Sequence, residues 1–206
     1  MQKIMDKRTW QQPYAMHTWG SVIVFGFTCL AFFVCLGAPA WWVSYYDRSD
    51  SLVAAVQFGL WRLCVRDYCI YDMTSKFMVE SFMPDVVLPA YREGKLEPAQ
   101  FLMAFNVVFI LIVLCSYFAF FIGKRTYYLE CIFQLLIGIS CVISLTMFAS
   151  SFRGSLDYLP FGYAFWFGVA ASFFFIVNSF VMFAISLTVN RKREERLQMA
   201  QMAPLA

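Results

Sequence analysis

"WGSVIVFGFTCLAFFVCLGAP", Trp19 to Pro39, is a run of 21 residues without a single charge. A helix that crosses the hydrocarbon core of a bilayer needs roughly 20 such residues. The apolar character is continuous rather than alternating, which is the pattern of a helix and not of a barrel strand. Three more stretches read the same way: Phe101–Ile122, Leu129–Phe148 and Phe161–Val189. Only the third carries a charge, Glu130 at its start. No ionisable group or helix break falls at mid-membrane, where a pump, proton relay or transporter places its working residues.

The remaining composition agrees. The chain is 61% hydrophobic and 14% charged, with 24 phenylalanines in 206 residues; a soluble domain carries about 25% charge. One membrane α-helical domain over residues 1–206, with four transmembrane helices, is the expected architecture.

Charge sets the expected orientation. Lys3, Lys7 and Arg8 precede the first span, Lys124 and Arg125 lie between the second and third, and Arg191, Lys192, Arg193 and Arg196 follow the fourth. Residues 40–100, with six Lys/Arg against eight Asp/Glu, and the short loop 149–160, with Arg153 and Asp157, fall on the other side. Cytoplasmic loops carry the excess of Lys and Arg, so both termini are expected in the cytoplasm and the two loops outside. The tail "NRKREERLQMAQMAPLA" is expected either to prolong the fourth helix or to skim the membrane. A rival topology has the first run cleaved as a signal sequence at Ala38-x-Ala40. The run is longer than the usual 7–15 residues of a signal core, and Trp19 and Trp41 flank it as interface anchors would, so an uncleaved anchor is the reading adopted.

Outer loop 1 is too long for a connector. "WWVSYY" (41–46), "SLVAAVQF" (51–58), "LWRLCV" (60–65) and "YCIYD" (68–72) are rich in strand formers, and "DRSD" (47–50) reads as a turn. A small antiparallel sheet lying on the bundle follows. Within it, "GLWRLCVRDYC" (59–69) holds two cysteines, which raises a metal site, a thiol-redox site or a structural clasp. An oxidising compartment favours a disulfide between Cys64 and Cys69. A zinc site wants four ligands, and the single histidine, His17, lies across the membrane. If the two segments pair as a hairpin, Val65–Tyr68 spans the turn and the cysteines face each other.

The other cysteines, Cys29, Cys35, Cys115, Cys131 and Cys141, lie in or beside spans, where the residue acts as a small hydrophobe. Cys131, near the expected cytoplasmic face, is a candidate for palmitoylation. Ala164, Gly168 and Ser172 recur every four residues in the fourth span and form a helix-packing stripe, inside the bundle or towards a second copy. The loop acids Asp47, Asp50, Asp67, Asp72, Glu80, Asp85, Glu93 and Glu97 make either a solvated face or an ion-attracting one. No phosphate loop, nucleophile elbow or glycosylation sequon is present. The chain reads as a non-enzyme, with no cofactor, metal or nucleic-acid partner.

Trp41 (or Trp42), then Gly59-Leu60-Trp61, then Cys64 and Cys69, in the first outer loop of a four-span chain, resembles the claudin signature. "LPA" (88–90) before the second span and "FGYAFWFG" (161–168) opening the fourth are similar to the same superfamily, which includes peripheral myelin and epithelial membrane proteins and calcium-channel gamma subunits. Invertebrate claudin-like proteins are the nearest group. The resemblance implies a left-handed four-helix bundle carrying an extracellular antiparallel β-sheet clasped by Cys64–Cys69. Trp41, Gly59, Leu60, Trp61 and the disulfide then hold the sheet to the bundle. It further implies a plasma-membrane protein at cell–cell contacts, acting in barrier or paracellular ion selectivity. Its partners are membrane lipids and claudin-type proteins in cis or trans. The alternative is an auxiliary subunit that modulates an ion channel or receptor. The four-residue spacer between the cysteines is shorter than in vertebrate claudins, and "MAPLA" is a poor match to their scaffold-binding tail.

Overall fold

The computed structural model of the chain describes residues 12–48, 51–65, 68–70, 96–121, 127–151 and 161–202. Lys3, Lys7, Arg8, Asp50, Asp67, Asp72, Glu80, Asp85, Glu93, Lys124, Arg125, Arg153 and Asp157, on which expectations above rest, lie outside the described residues.

Four long helices carry the fold: α1 (Gln12–Gly37), α2 (Leu96–Phe121), α3 (Tyr127–Ser151) and α4 (Tyr163–Met202). Each contains a stretch long and apolar enough to cross a bilayer: Trp19–Gly37, Leu96–Phe118, Tyr128–Ser150 and Tyr163–Arg191. The chain is a multi-pass membrane protein. Its outer surface bears this out physically, since large apolar side chains stand well exposed on all four helices, Phe27 on α1, Phe101 on α2, Ile132 on α3 and Phe173 on α4 among them. In lipid such a surface costs nothing; in water it would be an aggregation liability. The 40-residue α4 continues past its span without a break, so the basic tail prolongs the helix.

The bundle is built from neighbours in the order α1, α4, α3, α2, while α1 and α2 make little direct contact. Hydrophobicity gives no pull between helices in lipid, so close approach has to come from small residues and hydrogen bonds. Gly168 on α4 supplies the first: a Cβ there would lie 2.6 Å from the Cys35 sulfur and 2.9 Å from Leu145. Gly138 on α3 does the same against α4, with Ile176 Cγ1 2.6 Å from the position of its absent Cβ. Ala164 and Ser172 are also buried, so the Ala164–Gly168–Ser172 stripe faces α1 and α3 within the bundle. Phe25, Phe32, Tyr117 and Phe175 fill the space between, edge to face at 5.3–6.4 Å.

Between α1 and α2 the chain forms a four-stranded antiparallel sheet in sequence order: β1 (Trp42–Arg48), β2 (Ser51–Phe58), β3 (Leu63–Val65) and β4 (Tyr68–Ile70). Trp42 pairs with Phe58 and Arg48 with Ser51, so Asp47 and Arg48 of the expected "DRSD" turn belong to β1, and Ser49 and Asp50 lie outside the described residues. The register slips between Ser44 and Tyr45, where Ala55 has no opposite residue; such a bulge adds local twist. Cys64 is paired directly with Cys69 across the β3–β4 hairpin. Leu60, Trp61 and Arg62 precede β3 as a turn rather than extending the strand.

Candidate functional site at the sheet-to-bundle junction

The sheet is seated on the bundle through the last turn of α1. The final carbonyls of a helix have no partner within it, and here two are taken by residues of the loop. Trp41 Nε1 donates to the Cys35 carbonyl at 2.6 Å, and the Arg62 guanidinium donates to the Gly37 carbonyl at 2.9 Å. A cation at that terminus also complements the helix dipole. The Trp41 ring itself is 0% exposed, wedged edge-on against Phe148 of α3 at 4.5 Å and Phe165 of α4 at 6.3 Å. The expectation that Trp41 is an interface anchor is therefore corrected: it is a core residue. Trp19, at the other end of α1, is the exposed one.

The first turn of α4 is capped from the same place. The Ala164 amide donates to the Ala40 carbonyl at 3.1 Å, and the Gly162 amide donates to the Trp41 carbonyl at 2.8 Å. A side chain at Gly162 would collide with the Ala40 carbonyl. Trp42 starts β1, bridges to Phe161 and packs against its ring at 4.6 Å. The two adjacent tryptophans thus divide the work: Trp41 enters the bundle and Trp42 binds the segment leading into α4.

Gly59 has a similar geometric role. Its amide donates to the Arg62 carbonyl at 2.9 Å, closing the Gly-Leu-Trp turn. A Cβ at Gly59 would lie 2.8 Å from Pro39 Cα and 3.0 Å from the Ala38 oxygen. Leu60 is fully buried, and its carbonyl accepts the Gln100 amide of α2 at 2.7 Å. Trp61, by contrast, is 37% exposed. Trp41, Gly59 and Leu60 are brought together at the junction, and Trp61 beside them stays partly exposed. Arg62 and Gln100 share the holding role.

Cys64 and Cys69 are joined by a disulfide. The bond removes both sulfurs from metal or thiol chemistry and ties the β3–β4 register to the turn beneath it. Among the described residues no group of three or more His, Cys, Asp or Glu side chains is placed to hold a metal ion. Cys131 is buried, its sulfur 3.3 Å from the Ser179 hydroxyl. It points into the bundle, so acylation there requires the thiol to turn out.

The spans also hold more polar structure than their composition announces. Glu130 is 0% exposed and accepts from the Ser116 hydroxyl at 2.9 Å, so a buried carboxyl does sit within the third span. Asn106 accepts from Ser140, and Ser144 donates to the Ala99 carbonyl at 2.8 Å; both join α2 to α3. Ser21, Tyr117, Gln134 and Asn178 are buried together at the end of the bundle away from the sheet. Single polar residues in apolar runs were the only trace of this in the sequence.

A scan against protein-family models finds no match for the chain, and a search of curated proteins finds none either.

Proposed function

We propose that this chain is a claudin-like, non-enzymatic protein of the plasma membrane that acts in cell–cell contact, as a barrier or as a selective paracellular path. The observation that carries the reading is the junction itself. Five of the six residues that match the claudin pattern fall at one structural knot: Trp41 under the sheet, Gly59 and Leu60 in the turn that touches α1 and α2, and Cys64–Cys69 above them. A four-stranded sheet fixed in this way to a membrane bundle is a rigid platform suited to contact and not to turnover.

In this reading the sheet faces outside and both termini are cytoplasmic. The disulfide supports that side for the sheet, since disulfides persist in oxidising compartments. The Lys and Arg residues of the N-terminal segment, of the 122–126 connection and of the α4 tail support the opposite side for the termini. Exposed residues of the sheet then meet a second copy or a related protein on the same or the facing cell.

The test is transepithelial resistance and ion permeability of a monolayer made to express the chain. A change in resistance or in the cation-to-anion permeability ratio is the expected result. Unchanged permeability, together with altered currents when an ion channel is co-expressed, would assign the chain instead to the channel-auxiliary class.

A further inference from the structure

Four buried side chains, one from each helix, touch in sequence at the end of the bundle opposite the sheet. Ser21 Oγ of α1 donates to Asn178 Oδ1 of α4 at 2.9 Å. Asn178 Nδ2 donates to Gln134 Oε1 of α3 at 2.8 Å, and Gln134 Nε2 donates to the Tyr117 hydroxyl of α2 at 3.0 Å. The Tyr117 hydroxyl and Ser21 Oγ lie 3.4 Å apart. A serine hydroxyl has one hydrogen, and that of Ser21 is given to Asn178. Within that pair the donor is then Tyr117, so the four side-chain contacts run in one direction, while Asn178 Nδ2 also reaches back to the Ser21 carbonyl at 3.4 Å. Each group both gives and receives, the arrangement in which hydrogen bonds polarise and strengthen one another.

We propose that this ring is a latch that holds α1 against α2 through the Tyr117–Ser21 contact, and that removing either hydroxyl opens the bundle laterally along that seam. The other three seams have fastenings of their own. α1 meets α4 at Gly168 and through Phe32–Phe175. α4 meets α3 at Gly138 and through Cys131–Ser179, and α3 meets α2 through Asn106–Ser140, Ser144–Ala99 and Phe109–Phe133. The α1–α2 seam has little direct packing. On the α2 side Val108, Leu111, Leu114 and Phe118 are exposed. Tyr117 spans the seam, by its hydroxyl to Ser21 and by its ring to Phe25 at 5.3 Å. In lipid no hydrophobic pull replaces a lost hydrogen bond between helices, so an open ring leaves α2 free to move away from α1 while it stays fastened to α3. The sheet end stays shut because Gln100 holds the Leu60 carbonyl there.

The test is a pair of interhelix distances measured in the full chain in lipid nanodiscs, with spin-labelled noncanonical residues that leave the cysteines untouched. One pair, at Gly20 and Phe118, reports the ring end of the α1–α2 seam; the other, at Val34 and Phe101, reports the sheet end. Tyr117→Phe removes one oxygen and keeps the ring against Phe25. The expected result is a second, longer distance at the ring end and no change at the sheet end. Ser21→Ala gives the same shift, Ser21→Thr restores the single short distance, and Ser21→Ala with Tyr117→Phe shifts no further than either alone, because both remove the same contact. An unchanged distance in Tyr117→Phe, shifts that add in the double variant, or Ser21→Thr behaving as Ser21→Ala would each overturn the proposal. If Tyr117→Phe yields no folded protein, the Ser21 pair decides alone by the same criteria.

Discussion

At Gly59 the backbone runs so close to Pro39 and Ala38 that a single methyl group has no place. Gly59→Ala must push the turn away from the end of α1, loosening the Leu60 carbonyl from Gln100 and the Arg62 guanidinium from Gly37. Overpacking of this kind costs about 1–3 kcal/mol. The control is Gly26→Ala, on a face of α1 where an added Cβ meets nothing within 4 Å; there the change is neutral or stabilises by about 0.5–1 kcal/mol, as for a helix-interior glycine. Equilibrium unfolding in mild detergent measures both, and opposite signs are the prediction. The same scale shows what sequence reading reaches. It singled out Trp41, Gly59 and Leu60, which meet at the junction, but it included Trp61, which is less buried than they are. A motif records which residues recur together, not which way each side chain points. Arg62 and Gln100 were missed because their partners are backbone carbonyls, which leave no mark in a sequence.

Among the elements, the strands were legible in number and order, although β1 runs on through Asp47 and Arg48 of the expected turn and β3 begins only at Leu63. "SLVAAVQF" is β2 entire, and the Cys64–Cys69 pairing follows from the hairpin on either side of Arg66–Asp67. The helices were legible as spans but not as helices: α1 starts at Gln12 and α2 at Leu96, several residues before the apolar runs. Hydropathy measures the length in contact with lipid, and helical turns that continue past it are polar. The four-helix ring was not legible at all, since one serine, tyrosine, glutamine and asparagine in separate runs carry no periodic signal. The hairpin clasp belongs to this scale. Replacing both cysteines, Cys64→Ser with Cys69→Ser, opens a small loop worth about 2 kcal/mol of chain entropy. The four helices should insert as before, while surface biotinylation should show less protein delivered to the cell surface. Undiminished delivery would mean that the sheet keeps its register without the bond.

For the whole molecule, the two ends of the bundle are built on different principles. The sheet end is fastened by backbone carbonyls of α1 and of the Gly-Leu turn, taken up by Trp41, Arg62, Gln100 and the first amides of α4. The opposite end is fastened by side chains meeting one another. A platform pinned through its backbone has few ways to tilt, which suits a surface that must match another surface across a gap. That is the central content of the proposed contact function. The most direct measurement mixes cells that express a fluorescently tagged chain with cells that do not, in a line lacking junctions of its own. The account predicts enrichment of the tag at borders between two expressing cells over borders shared with a non-expressing cell. Equal intensity at both kinds of border would contradict it.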